Sequence, residues 1–146
     1  MAALSDFAEN KVLDAILRGQ ALGAPVTHHV GLYTTNPSDT GGGVEVTGGA
    51  YARVAVTAGL AAWSGSQTPG TTVASTGTDG TIENNAAITF PAPTANWGIV
   101  TGFGIFDAAT AGNMWIYAPL TINKTINNGD AAPSFGISAL TFQADN

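Results

Sequence analysis

The fold is decided by the stretch WGIVTGFGIF, residues 97–106, which carries the strongest β-strand signal in the chain. Two alternating sets of positions run through it, Ile99, Thr101, Phe103 and Ile105 against Val100, Gly102, Gly104 and Phe106. A period of two is typical of a strand, because successive side chains point to opposite faces. Glycines inside a strand indicate a bend or the close approach of another backbone. We therefore predict a strand here that bends or lies close to a neighbour.

Segments with the same period lie on both sides of this strand, and Gly, Asn and Pro residues separate them. They are residues 26–33, 51–57, 86–90, 113–120, 121–126 and 135–142, with a short strand at 61–63. We place one strand boundary near Pro119, and residues 64–80 are predicted to form a long loop or two weak edge strands. About seven or eight short strands with such turns are typical of an antiparallel β-sandwich or a jelly-roll-like barrel. We predict an all-β fold of this kind, preceded by one N-terminal α-helix.

The N-terminal region carries the signals of a helix over about residues 6–18. Ser5 is a suitable N-cap, and acidic residues fall in the first turns, where the helix dipole favours negative charge. Gly19 suits the left-handed conformation that commonly ends a helix. Beyond the helix the period changes to two. We therefore predict two units, with residues 1–22 as helix and linker and residues 23–146 as a β-sandwich domain.

The predicted helix has an apolar face that is broader than one small sheet surface needs. Its members are Phe7, Val12, Leu13, Ile16 and Leu17. We expect these side chains to form a docking surface or an interface between copies of the chain. Their neighbours include five of the fourteen charged residues of the protein, so the outward edge of the helix is hydrated.

The composition is that of one folded domain with few charges. Only 10% of the 146 residues are charged, whereas 45% are hydrophobic. A disordered chain combines low hydrophobicity with high net charge, so that class is excluded. The apolar runs are far shorter than the roughly 20 residues that cross a bilayer as a helix. No basic and apolar leader is visible at the N-terminus, so we expect synthesis and folding in a cytoplasm.

The charge balance excludes further classes of partner. Four basic residues stand against ten acidic ones, which gives a formal net charge of −6. The basic residues are scattered, whereas binding to nucleic acid or to an anionic membrane surface needs them clustered. With no cysteine in the chain, disulfides, thiolate metal sites and cysteine nucleophiles are excluded. We predict no cofactor.

Titratable side chains lie in patterns that favour structural roles. Six carboxylates occur in or beside Gly- and Asn-rich turns, namely Asp39, Glu45, Asp79, Glu83, Asp107 and Asp130. We interpret them as turn-forming residues and solvated loop tips, with calcium bound in the loops as the alternative. His28 and His29 are adjacent on a predicted strand, so their rings should point to opposite faces. We expect structural roles for both, and a metal on a trimer axis is the alternative.

Aromatic residues on the predicted strands could serve packing or recognition. The candidates are Trp63, Trp97, Trp115, Tyr33, Tyr51 and Tyr117. Such residues more often pack in a core or an interface, and a groove that stacks sugar rings is the alternative. No spacing brings together an acid, a base and a nucleophile, so we predict that the protein is not an enzyme.

Four stretches of turns and strand edges stand out as motifs. They read VGLYTTNPSDTGGGVEV at residues 30–46, NNAAITFP at 84–91, GIFDA at 104–108 and GDAAP at 129–133. Together with the N-terminal helix, they resemble a family of small virion structural proteins of tailed bacteriophages, usually described as tail fibre proteins. The likeness covers nearly the whole chain.

The resemblance implies a non-enzymatic component of a phage particle, made in the host cytoplasm and located in the virion. It leaves a tail-fibre-like role and a capsid-decorating or cement role open. The expected partners are other virion proteins of the capsid or tail and further copies of the chain, with neither nucleic acid nor membrane. The alternative function is that of a carbohydrate-binding module that contacts a glycan on the host surface.

Overall fold

The computed structural model describes residues 2–144, which form ten β-strands and one α-helix. In chain order they are β1 (Ala3–Leu4), α1 (Asp6–Arg18), β2 (Thr27–Thr35), β3 (Val44–Glu45), β4 (Val54–Thr57), β5 (Thr81–Glu83), β6 (Ile88–Thr89), β7 (Gly98–Phe106), β8 (Met114–Ile126), β9 (Ser134–Phe135) and β10 (Thr141–Gln143). The predicted β-rich fold with a helix at its N-terminus is confirmed. No helix of the described residues is long and apolar enough to cross a membrane.

The main sheet has six strands, and all of its pairings are antiparallel. Its order is β1-β8-β7-β2-β3, and β4 pairs with β2 alongside β3. Two smaller sheets consist of β5 with β10 and β6 with β9. Within the described residues these sheets do not close on one another, so the sandwich or jelly-roll arrangement stays a prediction.

The core lies on one face of the main sheet, where alternate residues of its three long strands meet. Leu32 of β2, Phe103 of β7 and Ala118 of β8 are cross-strand neighbours and are all buried. Side chains from the smaller sheets complete this cluster, among them Ile88, Phe135 and Phe142. β2 is nevertheless covered on both faces from Val30 to Tyr33, because Tyr33 packs with Phe106 and Met114 in a second buried cluster.

The alternation of β7 is interrupted, which corrects the simple two-faced prediction. Ile99 is 55% exposed, whereas Val100 is 1% exposed. In a regular strand Val100 and Phe103 would point to opposite faces, yet both are buried in the same core cluster. The pairing with β8 shifts register between Val100 and Gly102, so the face changes at this point. A register shift of this kind reverses the direction in which side chains point.

One predicted strand boundary is wrong, because β8 runs unbroken through Pro119. The strand pairs with β7 as far as Pro119 and again from Lys124, so residues 120–123 form a four-residue excursion opposite Thr101. β1 pairs with β8 only at Ile116 and Tyr117. Proline is accepted where a strand has no outer neighbour and next to an irregularity in the ladder.

A second boundary is missing from the prediction, because residues 135–142 contain two strands and not one. β9 pairs with β6, whereas β10 pairs with β5. The turn between them wraps around Asn84, which is 1% exposed. The Asn84 side chain donates to the Gly136 carbonyl at 2.7 Å and accepts from the Leu140 N–H at 2.8 Å. The buried Asn84 amide is thereby satisfied, and its hydrogen bonds hold the turn that separates β9 from β10.

The predictions for the neighbouring segments 61–63 and 64–80 differ in outcome. Residues 61–63 form no strand, and Trp63 makes only an isolated bridge to Asn84. Residues 64–80 contain no strand, in agreement with the predicted long loop.

The predicted helix is confirmed, and its N-terminus is tied to the sheet. The Ser5 hydroxyl accepts from the Ala8 N–H at 3.3 Å as an N-cap and also donates to the Met114 carbonyl. The Ser5 N–H donates to the Trp115 carbonyl at 3.0 Å. Gly19 ends the helix with a left-handed φ of 67°. The first turn of α1 is therefore held against β8 by backbone and cap together.

Candidate functional site

The five side chains of the predicted docking surface divide into two groups along α1. Phe7 packs edge-on against Trp115, with ring centroids 5.3 Å apart and an angle of 83° between the rings. Val12 is half-buried. Phe7 thus serves the packing of the helix on its own sheet, which leaves the rest of the predicted surface to the second half of the helix.

The second half of α1 exposes three large apolar side chains. Leu13 is 54% exposed, Ile16 is 73% exposed and Leu17 is 75% exposed. The Arg18 guanidinium and the Asp14 carboxylate form an ion pair at 2.8 Å beside them. Because these apolar residues face solvent, they are the members of the predicted docking surface that a partner could cover. We call Leu13, Ile16 and Leu17 the helix patch.

A second site, which the sequence prediction missed, is an ion pair on the opposite face of the main sheet from the core. The Arg53 Nε and Glu45 Oε1 atoms lie 2.8 Å apart, and Arg53 Nη2 lies 2.8 Å from Glu45 Oε2. Only 7% of the Arg53 side chain and 24% of the Glu45 side chain are exposed. Two parallel N–H···O bonds make this a bidentate pair.

Arg53 also joins the pair to the hairpin between β7 and β8. Its Nη1 atom donates to the Ala108 carbonyl at 2.9 Å and to the Ala111 carbonyl at 2.8 Å. The guanidinium carbon lies 3.5 Å from the centroid of the Phe106 ring. Burial opposes the charge on Arg53, but the Glu45 carboxylate outweighs burial and raises the Arg53 pKa. This guanidinium is therefore permanently charged and fully engaged inside the domain.

Tyr51 connects the same pair to the backbone of β2. Its hydroxyl donates to Glu45 Oε1 at 2.8 Å and accepts from the Leu32 N–H at 2.8 Å. Burial raises the Tyr51 pKa far above its ordinary value. Gly31 provides the space for this network, because a Cβ atom there would lie 2.8 Å from Glu45 Oε1. We call Glu45, Tyr51 and Arg53 the buried clamp.

The prediction of Glu45 as a solvated loop tip is therefore wrong, because Glu45 lies in β3 and is paired. A signal was present in the sequence. Tyr51 and Arg53 are two residues apart and so share a face of an extended chain. An arginine on such a segment needs a carboxylate partner if it is buried.

Asp107 and Asp130 shape turns, in agreement with the prediction, whereas the prediction is wrong for Glu83, which lies half-buried in β5 and pairs with β10. Asp107 accepts hydrogen bonds from the backbone and side chain of Asn113 at 2.7 and 2.8 Å. Burial opposes ionisation of Asp107, but these hydrogen bonds outweigh it and lower its pKa. Asp130 accepts from the Asn127 N–H at 2.7 Å. A hydrogen bond to Asp39 raises the pKa of Tyr117 to about 12.

Metal ligands do not gather in the part of the chain that the structure describes. No group of three His, Asp or Glu side chains there could hold a metal ion. His28 lines an apolar cavity of about 150 Å³ with Trp63 and Phe142, and its ring lies edge-on to Trp63. Burial, followed by the neighbouring His29, lowers the His28 pKa.

The six predicted aromatic candidates all pack inside the domain. Trp97, Trp115 and Tyr33 are buried, and the other three are half-buried. Tyr51, for example, packs edge-on against Trp97 and stacks on Phe90. Among residues 2–144 every aromatic residue is buried or half-buried, which agrees with a packing role, and a groove that stacks sugar rings stays an untested alternative.

The fold and its surfaces define a class, a small β domain that buries its own charged and aromatic groups and presents an apolar helix to solvent. The chain matches the family model of the podophage GP4 fiber I protein gp80 over residues 3–143. It belongs to this family of phage fibre proteins and is a component of the virion, assembled after synthesis in the host cytoplasm. No curated protein matches the chain. The predicted likeness to phage tail fibre proteins is confirmed.

Proposed function

We propose that this protein is a non-enzymatic structural element on the exterior of a tailed-phage particle, where it docks through α1 and associates with further copies of itself. The observation that carries the proposal is the helix patch, three large apolar side chains exposed on a helix whose first turn is fastened to the sheet. Membership of a fibre family supports a tail-fibre-like role over a capsid-decorating one.

The energetics support a partner for the helix patch. Burying a Leu or Ile side chain contributes about 1.5–3 kcal/mol relative to leaving it in water. A helix that served only its own domain would place such residues towards the sheet, as α1 does with Ala8 and Phe7. Covering Leu13, Ile16 and Leu17 with another protein would recover this free energy on assembly.

The two predicted units fit this role. We propose residues 1–22 as the docking segment and residues 23–146 as a sandwich-like body, in which the small sheets cover the core face of the main sheet. The clustering of Ile88, Phe135 and Phe142 with the buried face of β2 and β7 supports such layering. Because β1 is a strand of the main sheet, the docking segment is anchored to this body, and the second half of α1 is left to meet a partner.

The absence of an enzymatic role is supported by how the body uses its polar groups. The buried clamp directs its hydrogen bonds to protein atoms, including the backbone of the β7–β8 hairpin. Asn84, the most buried polar side chain, is likewise bonded to backbone on both of its amide atoms. Groups committed to backbone in this way hold structure together.

Incorporation into particles tests the proposal. Leu13, Ile16 and Leu17 would be replaced together by Gln, which keeps helix propensity and removes the apolar surface. We expect the variant to keep its β-sheet circular dichroism and to be lost from purified virions. A matched control replaces three exposed apolar residues of the body by Gln, namely Leu60, Val73 and Ile137, which are 52%, 60% and 66% exposed. Equal incorporation of both triple variants would overturn the proposal.

A further inference from the structure

An apolar groove opens at the far end of β8, beneath the excursion at residues 120–123. It has a volume of about 290 Å³, with Leu32, Phe90 and Val100 on its floor. Leu120, Ile122 and Phe135 contribute to its walls. Ile122 is 81% exposed, one of the two most exposed large apolar residues of the described chain. The groove therefore reaches from solvent to the core of the domain.

The rim of this groove carries one charge of each sign. A neighbouring cavity of about 270 Å³ shares Lys124, Ile126 and Pro133 with the groove and adds Asp130. Lys124 is exposed and forms no salt bridge within the described residues. We call the two cavities together the β8 groove.

The helix patch and the β8 groove lie at opposite ends of the same strand. α1 is fastened to β8 at Met114 and Trp115, whereas the groove is formed by residues 120–126. On the neighbouring strand β7, Met114 pairs with Phe106 and Lys124 pairs with Val100, and these two positions of β7 are about 20 Å apart in an extended strand. Both surfaces are exposed, so neither covers the other within one chain.

The two surfaces also match in chemistry. The helix patch presents three aliphatic side chains with Asp14 and Arg18 beside them, one helical turn apart. The β8 groove presents aliphatic walls with Lys124 and Asp130 beside them. If the helix lay with Asp14 facing Lys124 and Arg18 facing Asp130, two ion pairs between copies would replace the exposed Asp14–Arg18 pair within the helix.

We propose that the second half of α1 from one copy of this protein binds in the β8 groove of a second copy. This inference deepens the proposed self-association and rests on it, because it names the two surfaces that meet. A contact between two different surfaces of identical chains is head-to-tail, and its repetition gives a closed ring or an open filament. Repeated copies would then be arranged with a common polarity.

Disulfide cross-linking tests the contact cleanly, because the chain has no cysteine of its own. One preparation would carry Ile16→Cys and a differently tagged one Ile122→Cys, both at exposed positions. We expect mixing under mild oxidation to give mainly the mixed dimer. Dominant Ile16→Cys homodimers would show helix-to-helix pairing, and dominant Ile122→Cys homodimers would show pairing of the β8 edges. Either of these results would overturn the proposal.

A control pair defines the background of random collision. Val73→Cys, at an exposed loop position, would be mixed with Ile122→Cys under the same conditions. We expect several-fold less cross-linking than with Ile16→Cys. Equal yields in the two mixtures, or no cross-linking in either, would overturn the proposal.

Charge reversal gives an independent readout. Lys124→Glu should lower the mixed cross-link about threefold, as expected for an exposed ion pair at a rim, and Asp14→Lys on the other chain should restore it. A lack of restoration would contradict the assigned orientation. If cross-linking fails while the triple Gln variant of the helix patch is still lost from virions, the groove assignment is wrong and the proposed docking role stands.

Discussion

The buried clamp and the helix patch reverse the usual placement of residues in opposite ways. Arg53 is a charged side chain that is 7% exposed, whereas Leu17 is an apolar side chain that is 75% exposed. Folded proteins normally bury apolar side chains and keep charged ones in water. The difference teaches that the body satisfies its buried charge within its own chain, whereas the second half of α1 leaves large apolar side chains uncovered in the described chain.

Each reversal has a physical condition. A buried charge is tolerated only when it is paired and hydrogen-bonded, and Arg53 meets this condition with four hydrogen bonds and the face of Phe106. An exposed apolar side chain of the helix patch has no such compensation within the described chain. Stability measurements should therefore separate the two regions clearly.

The largest effect is expected from Arg53→Leu, because the substitution leaves the Glu45 carboxylate half-buried without its partner. We expect a loss of about 3–5 kcal/mol in the free energy of unfolding, measured by urea denaturation. The exposed pair provides the matched control, since Arg18→Leu should change the free energy by less than about 0.5 kcal/mol. Equal effects of the two substitutions would remove the distinction between the regions.

A smaller effect is expected from Gly31→Ala, which tests the space beneath the buried clamp. The new Cβ atom would lie 2.8 Å from Glu45 Oε1 and 3.1 Å from the Tyr51 hydroxyl. Overpacking of this kind costs about 1–3 kcal/mol. At Gly59 nothing lies within 4 Å of an added Cβ, so Gly59→Ala should be neutral or slightly stabilising. The midpoint temperatures of thermal unfolding would be compared for the two variants. Equal midpoints would contradict the close packing of the buried clamp against Gly31.

The substitution Ile→Val at one site in the body and one in the helix compares the stability that each side chain contributes. Ile105→Val removes a methyl group from a residue that is 2% exposed, and should cost about 0.5–1.5 kcal/mol. Ile16→Val removes the same group from a residue that is 73% exposed, and should stay within about 0.5 kcal/mol. A larger cost at Ile16 in the isolated chain would mean that the helix patch is already covered.

The free energy of unfolding should also depend on pH through His28, a residue of the body. Because burial lowers the His28 pKa below its ordinary value of 6.5, the unfolded chain binds a proton more readily than the folded one. The contribution of His28 to the free energy of unfolding should therefore fall as the pH drops below 6.5, and it should stop changing below the folded pKa. His28→Phe should flatten this slope in denaturation series. An unchanged slope would show that His28 is not its source.

Prediction from sequence succeeded where the signal is local. The long strands β2 and β7 follow from a period of two, and α1 follows from Ser5, Gly19 and the spacing between them. It failed for β1, β3 and β5, because two or three residues are too few to establish a period. The division of residues 135–142 was hidden as well, since it depends on Asn84, more than fifty residues earlier.

The candidate surfaces divide in the same way. The members of the helix patch were predictable, because helical periodicity places Leu13, Ile16 and Leu17 near one another. The sequence did not predict which of the five candidate side chains of α1 are exposed, since that depends on where the sheet ends. The β8 groove and the buried clamp could not be predicted, because each joins residues from several strands that are distant in the chain.

By itself, the sequence determined the class of fold, the position of the helix, the scarcity of charge and the likeness to phage fibre proteins. Those properties depend on composition and on interactions between residues a few positions apart. Tertiary structure alone decided that Arg53 is buried against Glu45, that β8 passes through Pro119 and that half of α1 faces solvent. The physical reason is that burial and pairing depend on which distant strands become neighbours, and strand pairing is set by the packing of the whole chain.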